Sequence, residues 1–440
     1  MGKYFGTDGF RGKAFIELTE EHAYHIGVFL GNYFKRENRE AKVMIGRDTR
    51  VSSPILEKRL IDGLLFSNAH VFSLGVVSTP CVSFMVVEEN CDCGIIISAS
   101  HNPYEDNGIK IVNHKGEKLE EEIILKLEDY LDGNKDILPS KNNGILEICS
   151  CQKYMEKRKS LLDFDLSNLS IALDLANGAT CSIAKEIFKS YLVHYLFDLP
   201  DGKNINENCG STHIEALQQY VKEHHLDAGF AFDGDGDRCI AVDENGDILD
   251  GDLILYILGK YLKEKGQLNQ NTIVATVMSN QGLLDALKDE GIFYYLTPVG
   301  DKYVYQEMVN HNLSLGGEQS GHIIIRDDSP FGDGILTALI LLKVRVESKK
   351  SFSKLHESFT IYPQTLTNIK VSNKESVMKD SLLKEKLEEI SQTYGDSVRV
   401  LVRPSGTENL VRIMVMAKER ELCESISSIF VKLVAPYEVK

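Results

Sequence analysis

The chain has 440 residues, 43% hydrophobic and 26% charged, a globular balance that excludes a disordered tail, a collagen-like fibre and a small disulfide knot. Its length suggests about three domains. Acidic residues outnumber basic ones 65 to 49, a formal charge of −16, so the totals show no nucleic-acid footprint, and an anionic ligand would need positive charge gathered locally.

Nine cysteines, an odd count without a Cys-x-x-Cys, argue against a disulfide framework and a zinc site and for reduced thiols. No apolar run approaches a membrane span, and the first residues hold no signal-peptide core. Gly6 stands where a myristoylation motif wants Ser or Thr. A cytoplasmic protein with no nucleic-acid or membrane partner is expected.

In chain order, Lys42–Ile45 reads as a strand ending in the turn Gly46-Arg47-Asp48. Ser52, Ser53 and Pro54 then start a helix whose apolar face is Ile55, Leu56, Leu60, Ile61, Leu64 and Leu65. Val71–Leu74 and Gly94–Ile97 resume as strands, giving a βαβ rhythm. The hydrophilic stretch near 133–143 reads as a loop at a first boundary. A second unit has strand Ile171–Leu173, helices near 182–190 and 213–225, and strand Ala228–Phe232. A third has helix 252–264, strand Ile273–Val277 and helix 332–346. Beyond Pro363 come strand 366–371, a charged helix near 376–392, strands 397–402 and 410–416, and a final helix. The predicted fold is thus α/β: three consecutive domains of similar plan (1–150, 151–250 and 251–364) and a smaller C-terminal α+β domain (365–440).

Four stretches carry chemistry. Ser98-Ala99-Ser100-His101-Asn102-Pro103 follows strand Gly94–Ile97, at the end that faces ligand in open α/β sheets. Ser100 can be a nucleophile if His101 or Lys110 assists with its proton, although alone the stretch is better explained as a Ser-Asn-Pro turn. Asp233-Gly234-Asp235-Gly236-Asp237-Arg238 sets three carboxylates within five residues, which repel unless a cation sits among them; hard oxygens suit Mg²⁺. Glu244 falls at the twelfth position of a calcium loop, but Arg238 occupies the glycine such a loop requires and strands flank it, so an EF-hand is rejected. Gly316-Gly317-Glu318-Gln319-Ser320-Gly321-His322 offers hydroxyl-binding groups on a close-approaching backbone, suited to a polyol. Arg403-Pro404-Ser405-Gly406-Thr407-Glu408, with Arg412 beyond it, reads as a phosphate cradle rather than a tight surface turn.

A hydroxyl nucleophile, a Mg²⁺ trap, a polyol reader and a phosphate clamp, one in each of four units, are equipment for phosphoryl transfer on a sugar phosphate. These loops, with the opening Gly6-Thr7-Asp8-Gly9-Phe10-Arg11-Gly12, make essentially the whole chain resemble the α-D-phosphohexomutase superfamily, and within it the phosphoglucosamine mutases. The resemblance implies a heart-shaped molecule whose four domains surround a central cleft. It implies that Ser100 is the phosphoserine and that Asp233, Asp235 and Asp237 hold one Mg²⁺ with the Ser100 phosphate. By the same carry-over, Thr7 and Arg11 steady that phosphate, and Lys110 and His101 assist proton transfer, either being a candidate general base. Glu318, Ser320 and His322 meet the sugar. Arg403, Ser405, Gly406, Thr407 and Arg412 hold the phosphate that is not reacting. The implied activity interconverts glucosamine 6-phosphate and glucosamine 1-phosphate through a bound 1,6-bisphosphate. A hexose 1,6-bisphosphate would be the activator, sugar phosphates the partners, a monomer or homodimer the assembly, and amino sugar for UDP-N-acetylglucosamine and the cell wall the outlet. Serving both substrate orientations with one clamp implies that the last domain moves.

Two positions depart from the family pattern. Glu408-Asn409 replaces Glu-Pro, which removes rigidity rather than a ligand. Lys302 stands where arginine is usual, keeping charge without the fork, and is given a secondary binding role. The alternative within the superfamily is a phosphoglucomutase or phosphomannomutase. Gln319 resembles the glucosamine-specific loop, where relatives acting on neutral hexoses often show Met. A non-catalytic calcium or sugar-phosphate binder would not need Ser100, and a simple phosphatase would not need the second phosphate clamp.

Overall fold

The computed structural model describes residues 2–6, 8–37, 39–133, 144–405 and 409–439. Among these, the chain forms two compact units: residues 1–278 with 291–357, and residues 279–290 with 358–440.

The first unit holds three sheets. In spatial order the first runs Phe5–Gly6, Gly9–Lys13, Asp106–Asn113, Cys93–Ile97, Lys42–Arg47, His70–Val76 and Ile145–Ile148. Cys93–Ile97 is buried throughout, so its Cys-Gly-Ile-Ile-Ile sequence shows no alternation. It is parallel to Lys42–Arg47 on one side and antiparallel to Asp106–Asn113 on the other. That antiparallel return brings Lys110, paired with Ile96 across the ladder, back beside the loop that begins at Ser98. Helix Ser53–Phe66 starts where expected, but Ser52 does not cap it with its side chain. The Ser52 and Ser53 hydroxyls instead accept hydrogen bonds from Asn107 Nδ2 at 2.8 and 3.0 Å, serving the loop system rather than the helix end.

The second sheet runs Ile248–Leu249, Cys239–Asp243, Ala228–Phe232, Ile171–Asp174 and Val193–Leu196. The acidic stretch 233–238 is the hairpin between the buried antiparallel strands Ala228–Phe232 and Cys239–Asp243. The third sheet runs Phe293–Thr297, Thr272–Thr276, Leu315–Gly317 and Ile323–Ile325, with residues 318–322 as the turn between its last two strands.

The second unit has one three-stranded antiparallel sheet, Gln364–Lys370, Leu410–Ala417 and Val398–Pro404 in spatial order, with helix Arg420–Val434 packed on its buried face. The charged helix expected over 376–392 is broken into Lys374–Lys379 and Ser381–Tyr394. Asp380 makes the break: its backbone is extended (φ −60°, ψ 125°) and its carboxylate accepts from Leu382 N at 2.8 Å and Leu383 N at 3.3 Å. A carboxylate that caps is worth more there than one more helical residue.

Candidate active site

In the first unit, strand Cys93–Ile97 delivers Ser100 into a buried position, 1% exposed, with its backbone in the left-handed region at φ 52°. For a residue other than glycine that conformation costs about 1–2 kcal/mol, so the surroundings must hold it. Its Oγ donates to Asp233 Oδ2 at 2.6 Å, and His101 Nδ1 lies 3.2 Å from Ser100 Oγ.

Asp233, Asp235 and Asp237 are all buried, and each offers a carboxylate oxygen within 4.8 Å of the others. Gly236, at φ 71°, makes the reversal that turns the three inward. A Cβ on Gly234 would stand 2.6 Å from the Ser100 carbonyl oxygen, so the acidic hairpin and the serine loop meet backbone to backbone and glycine is required there. Thr79 Oγ1 donates to Asp235 Oδ2 at 2.5 Å, and Thr79 N to Asp235 O at 2.9 Å, fixing the hairpin to the start of helix Thr79–Glu88. The Oδ1 atoms of Asp235 and Asp237 are buried and have no hydrogen-bond partner among the described residues. Orphaned, converging carboxylate oxygens fit a hard divalent cation such as Mg²⁺.

Lys110 Nζ reaches Asp235 at 2.8 Å, Asp237 at 3.1 Å and Asp8 at 3.1 Å. Burial alone would lower the Lys110 pKa, but these carboxylates hold it well above the ordinary lysine value. Burial pushes Asp233 well up, and the Asp237 and Asp235 charges push it further. Burial also acts to raise Asp235, yet the Lys110 ammonium outweighs it and holds that carboxyl low. His101 is brought down to about 3 by burial, with the Arg238 and Arg11 charges adding to the effect. Arg11 pairs with Asp8, and Arg238 N donates to Asp233 Oδ1 at 3.1 Å. The Nε atoms of both guanidinium groups are buried without a partner among the described residues, as an anion-binding wall would be.

In the third sheet's turn, Glu318 Oε1 accepts from Gly300 N at 2.9 Å, Ser320 is exposed, and Gln319 Nε2 donates to Asp250 Oδ2 at 3.1 Å. His322 is 4% exposed, and neither ring nitrogen has a hydrogen-bond partner among the described residues; its Nε2 lies 3.6 Å from Asp301 Oδ2 and 4.0 Å from Asp237 Oδ2. Lys118 spans Asp301 at 2.6 Å and Asp8 at 3.2 Å, so charged groups run continuously from the acidic hairpin to the third sheet. A cavity of about 680 Å³ opens beside them, lined by Asp8, Lys110, Lys118, Asp301 and Tyr305. Lys302 also lines it, but its ammonium is turned to Glu121 at 3.0 Å, a solvent-facing pair apart from the cluster.

In the second unit, Arg403 and Arg412 sit directly opposite each other on strands Val398–Pro404 and Leu410–Ala417. Both Nε atoms are buried and unbonded among the described residues. Burial and the neighbouring Arg412 charge lower the Arg403 pKa. Ser405 is buried and its carbonyl accepts from Lys374 Nζ at 2.9 Å. Thr7, Gly406 and Thr407, expected as phosphate contacts, lie outside the described residues. Sequence reasoning gave no role of their own to Asp8 and Asp301, which it met only inside longer motifs, and missed Thr79, Lys118 and Asn206. It read Asp48 only as a turn residue, ignored Arg50, and used Arg238 only to exclude a calcium loop.

Models of the phosphoglucomutase/phosphomannomutase domains match the chain four times: α/β/α domain I over residues 2–137, domain II over 152–246, domain III over 250–362 and the C-terminal domain over 366–433. Phosphoglucosamine mutase of Lachnoclostridium phytofermentans is 48% identical over 434 residues, covering 96% of both chains. That of Streptococcus gordonii is 48% identical over 430 residues, again 96% of each. Among solved structures, a phosphoglucomutase/phosphomannomutase family protein from Burkholderia thailandensis superposes with a TM-score of 0.81 at 23% identity, covering 99% of this chain and 98% of that one. The N-acetylphosphoglucosamine mutase of Aspergillus fumigatus, solved with GlcNAc-6P and magnesium, gives 0.71 at 18% identity, covering 99% and 96%. These two structures share the fold. No helix among the described residues is long and apolar enough to cross a membrane.

Proposed function

The chain belongs to the phosphoglucosamine mutase family of phosphohexomutases, and on that premise we propose that it moves a phosphoryl group between O6 and O1 of glucosamine through phospho-Ser100. It is an isomerase, interconverting glucosamine 6-phosphate and glucosamine 1-phosphate; the relatives do not favour the phosphoglucomutase or phosphomannomutase alternative. The observation that carries the residue-level reading is the Ser100 hydroxyl, buried and 2.6 Å from Asp233 on the rim of a carboxylate trio with unsatisfied oxygens.

In the first transfer the sugar O1 attacks the phosphorus on Ser100 Oγ, the Oγ–P bond breaks, and the proton released by O1–H ends on Oγ. Support for His101 as its carrier is the 3.2 Å from Nδ1 to Oγ. The resulting 1,6-bisphosphate turns end for end. Ser100 Oγ then attacks the 6-phosphate, the O6–P bond breaks, and the proton travels back from Oγ to O6. Asp233, Asp235 and Asp237 would hold Mg²⁺, which when bound neutralises charge on the phosphoryl group being transferred. Arg11 and Arg238, whose Nε atoms have no partner among the described residues, would face the same phosphoryl oxygens. Lys110 acts as a fixed cation that keeps the carboxylates together. Glu318, Ser320 and His322 would meet sugar hydroxyls, and Lys302 has only a secondary contact. Arg403, Ser405 and Arg412 would hold the phosphate not being transferred, with Thr407 and Gly406 beside them and Thr7 near phospho-Ser100. A hexose 1,6-bisphosphate would restore the phosphoserine after an aborted cycle.

Mass spectrometry of the Ser100 peptide, combined with turnover of glucosamine, glucose and mannose phosphates, tests the proposal. One phosphoryl group on Ser100 and preference for glucosamine 6-phosphate are expected. An unmodified Ser100 in an active enzyme refutes the shuttle, and preference for mannose phosphate refutes the substrate.

A further inference from the structure

Arg50 is wholly buried, 0% exposed, yet no step described above uses it. It lies three residues beyond strand Lys42–Arg47, whose sheet neighbour Cys93–Ile97 delivers Ser100. Each of its guanidinium N–H groups is directed to a partner. Nε donates to Asp48 Oδ2 at 2.7 Å. Nη1 donates to the carbonyl of Pro103 and, at 3.0 Å, to that of Asp106. Nη2 donates to the carbonyls of Ser100 at 2.9 Å and Asn102 at 2.8 Å. One planar group thus gathers four carbonyls of the nucleophile loop.

The same ion pair holds the other end of the Ser100 backbone. Asp48 Oδ2 accepts from Ser98 Oγ at 2.6 Å, and Ser98 Oγ accepts from Ser100 N at 2.9 Å. From the second sheet's loops, Asn206 Nδ2 donates to the Ser100 carbonyl at 2.9 Å and the Asn102 carbonyl at 3.1 Å. Both backbone dipoles of Ser100 are therefore tied down, and only its Oγ is left to face Asp233 and His101. Asp48 is as buried as Arg50 and cancels its charge at 2.7 Å, so the pair contributes geometry rather than field.

We infer that Arg50 is a positioning residue for phosphoryl transfer: anchored by Asp48 and assisted by Asn206, it imposes the left-handed backbone of Ser100 and thereby aims Oγ at the reacting phosphorus. The inference rests on Ser100 being the phosphoryl carrier. Misplacement of a reacting atom by about 1 Å can cost about a hundredfold in rate. A lysine at this position would keep the charge but offers one nitrogen, which cannot span carbonyls from residues 100 to 106.

The test is Arg50→Lys in the full chain, assayed with glucosamine 6-phosphate and glucose 1,6-bisphosphate. Expected are a fall of about a hundredfold in kcat per folded molecule, a KM within about twofold of wild type, and an equal slowing of ³²P transfer from labelled bisphosphate onto Ser100. A merely structural arginine would change the folded fraction, read by circular dichroism, and leave kcat per folded molecule intact; that result overturns the inference. If Arg50→Lys does not fold, Asn206→Ala removes two donors to the same carbonyls without touching a charge. About tenfold lower kcat at unchanged KM is then expected, and wild-type kcat overturns the inference. Ser100→Ala in the same assay separates the two readings. Retained turnover there defeats the phosphoserine itself, whereas a dead Ser100→Ala beside a fully active Arg50→Lys defeats only the positioning role.

Discussion

Replacing Ser100 by glycine and by alanine separates its chemistry from its backbone. Both variants lack Oγ, so both should lose at least about a thousandfold in turnover. The lost bonds to Asp233 and His101 cancel between them, leaving the left-handed backbone at φ 52° as the difference. Alanine meets the same cost of about 1–2 kcal/mol that serine meets, and glycine escapes it. Glycine's freer unfolded chain offsets about 0.4–1 kcal/mol of that relief. Ser100→Gly should therefore be the more stable of the two by roughly 0.5–1 kcal/mol, an unfolding temperature about 1–2 °C higher. Scanning calorimetry of the two proteins side by side reads the shift. An alanine variant at least as stable as the glycine one would show that the loop does not hold residue 100 against its preference. Turnover above about 1% of wild type in either variant would remove serine from the chemistry.

Burial pushes the Asp174 carboxyl up to about 7, despite the backbone N–H bonds it accepts from Gly210 (2.8 Å) and Ala176 (2.9 Å). The folded chain then keeps a proton that the unfolded carboxyl, near pKa ~3.9, gives up. This contribution to stability is complete below about pH 4 and is lost as pH rises through about 7, with a slope of at most about 1.4 kcal/mol per pH unit. Asp174→Asn should remove that slope, and an unchanged urea-unfolding slope would refute the assignment. The Cys151 thiol is drawn down to about 7, chiefly by its hydrogen bond with Cys81, while burial raises Cys149. Iodoacetamide near neutral pH should label Cys151 first, and peptide mass spectrometry showing Cys149 ahead of it contradicts this. Mg²⁺ at about 100 times its Kd should stabilise the wild-type chain by about 2.7 kcal/mol over the EDTA-treated protein. Asp237→Asn should lose most of that gain, and an equal gain in both would place the cation elsewhere.

What the sequence revealed is what is local. Ser100, the three aspartates, the 316–322 turn and the 403–412 stretch each announce themselves by residue type within a few positions, after recognisable strands. Strand Asp106–Asn113 was not read, because Asn107, Gly108 and Lys110 interrupt its period, although all but its first residue are buried. The charged stretch after 374 looked like one helix because Asp380 can act as helix interior or as cap, and only the packed chain shows which. The supporting residues had no local signal. Lys118 meets Asp8 across 110 positions and Asp301 across 183. Thr79 reaches Asp235 across 156, and Asn206 reaches Ser100 across 106. Such partners are chosen by the fold, and a pattern read along the chain has no window wide enough to contain them.

Two like charges set face to face on adjacent strands, as Arg403 and Arg412 are, act as a compressed spring built into the three-stranded sheet. The sheet holds that load through its buried Val411, Ile413 and Val415 face, and an anion received by the pair, as proposed above, would offset the repulsion. Simple oxyanions in the buffer, by relaxing the spring, would then protect this unit against heat before any sugar is present.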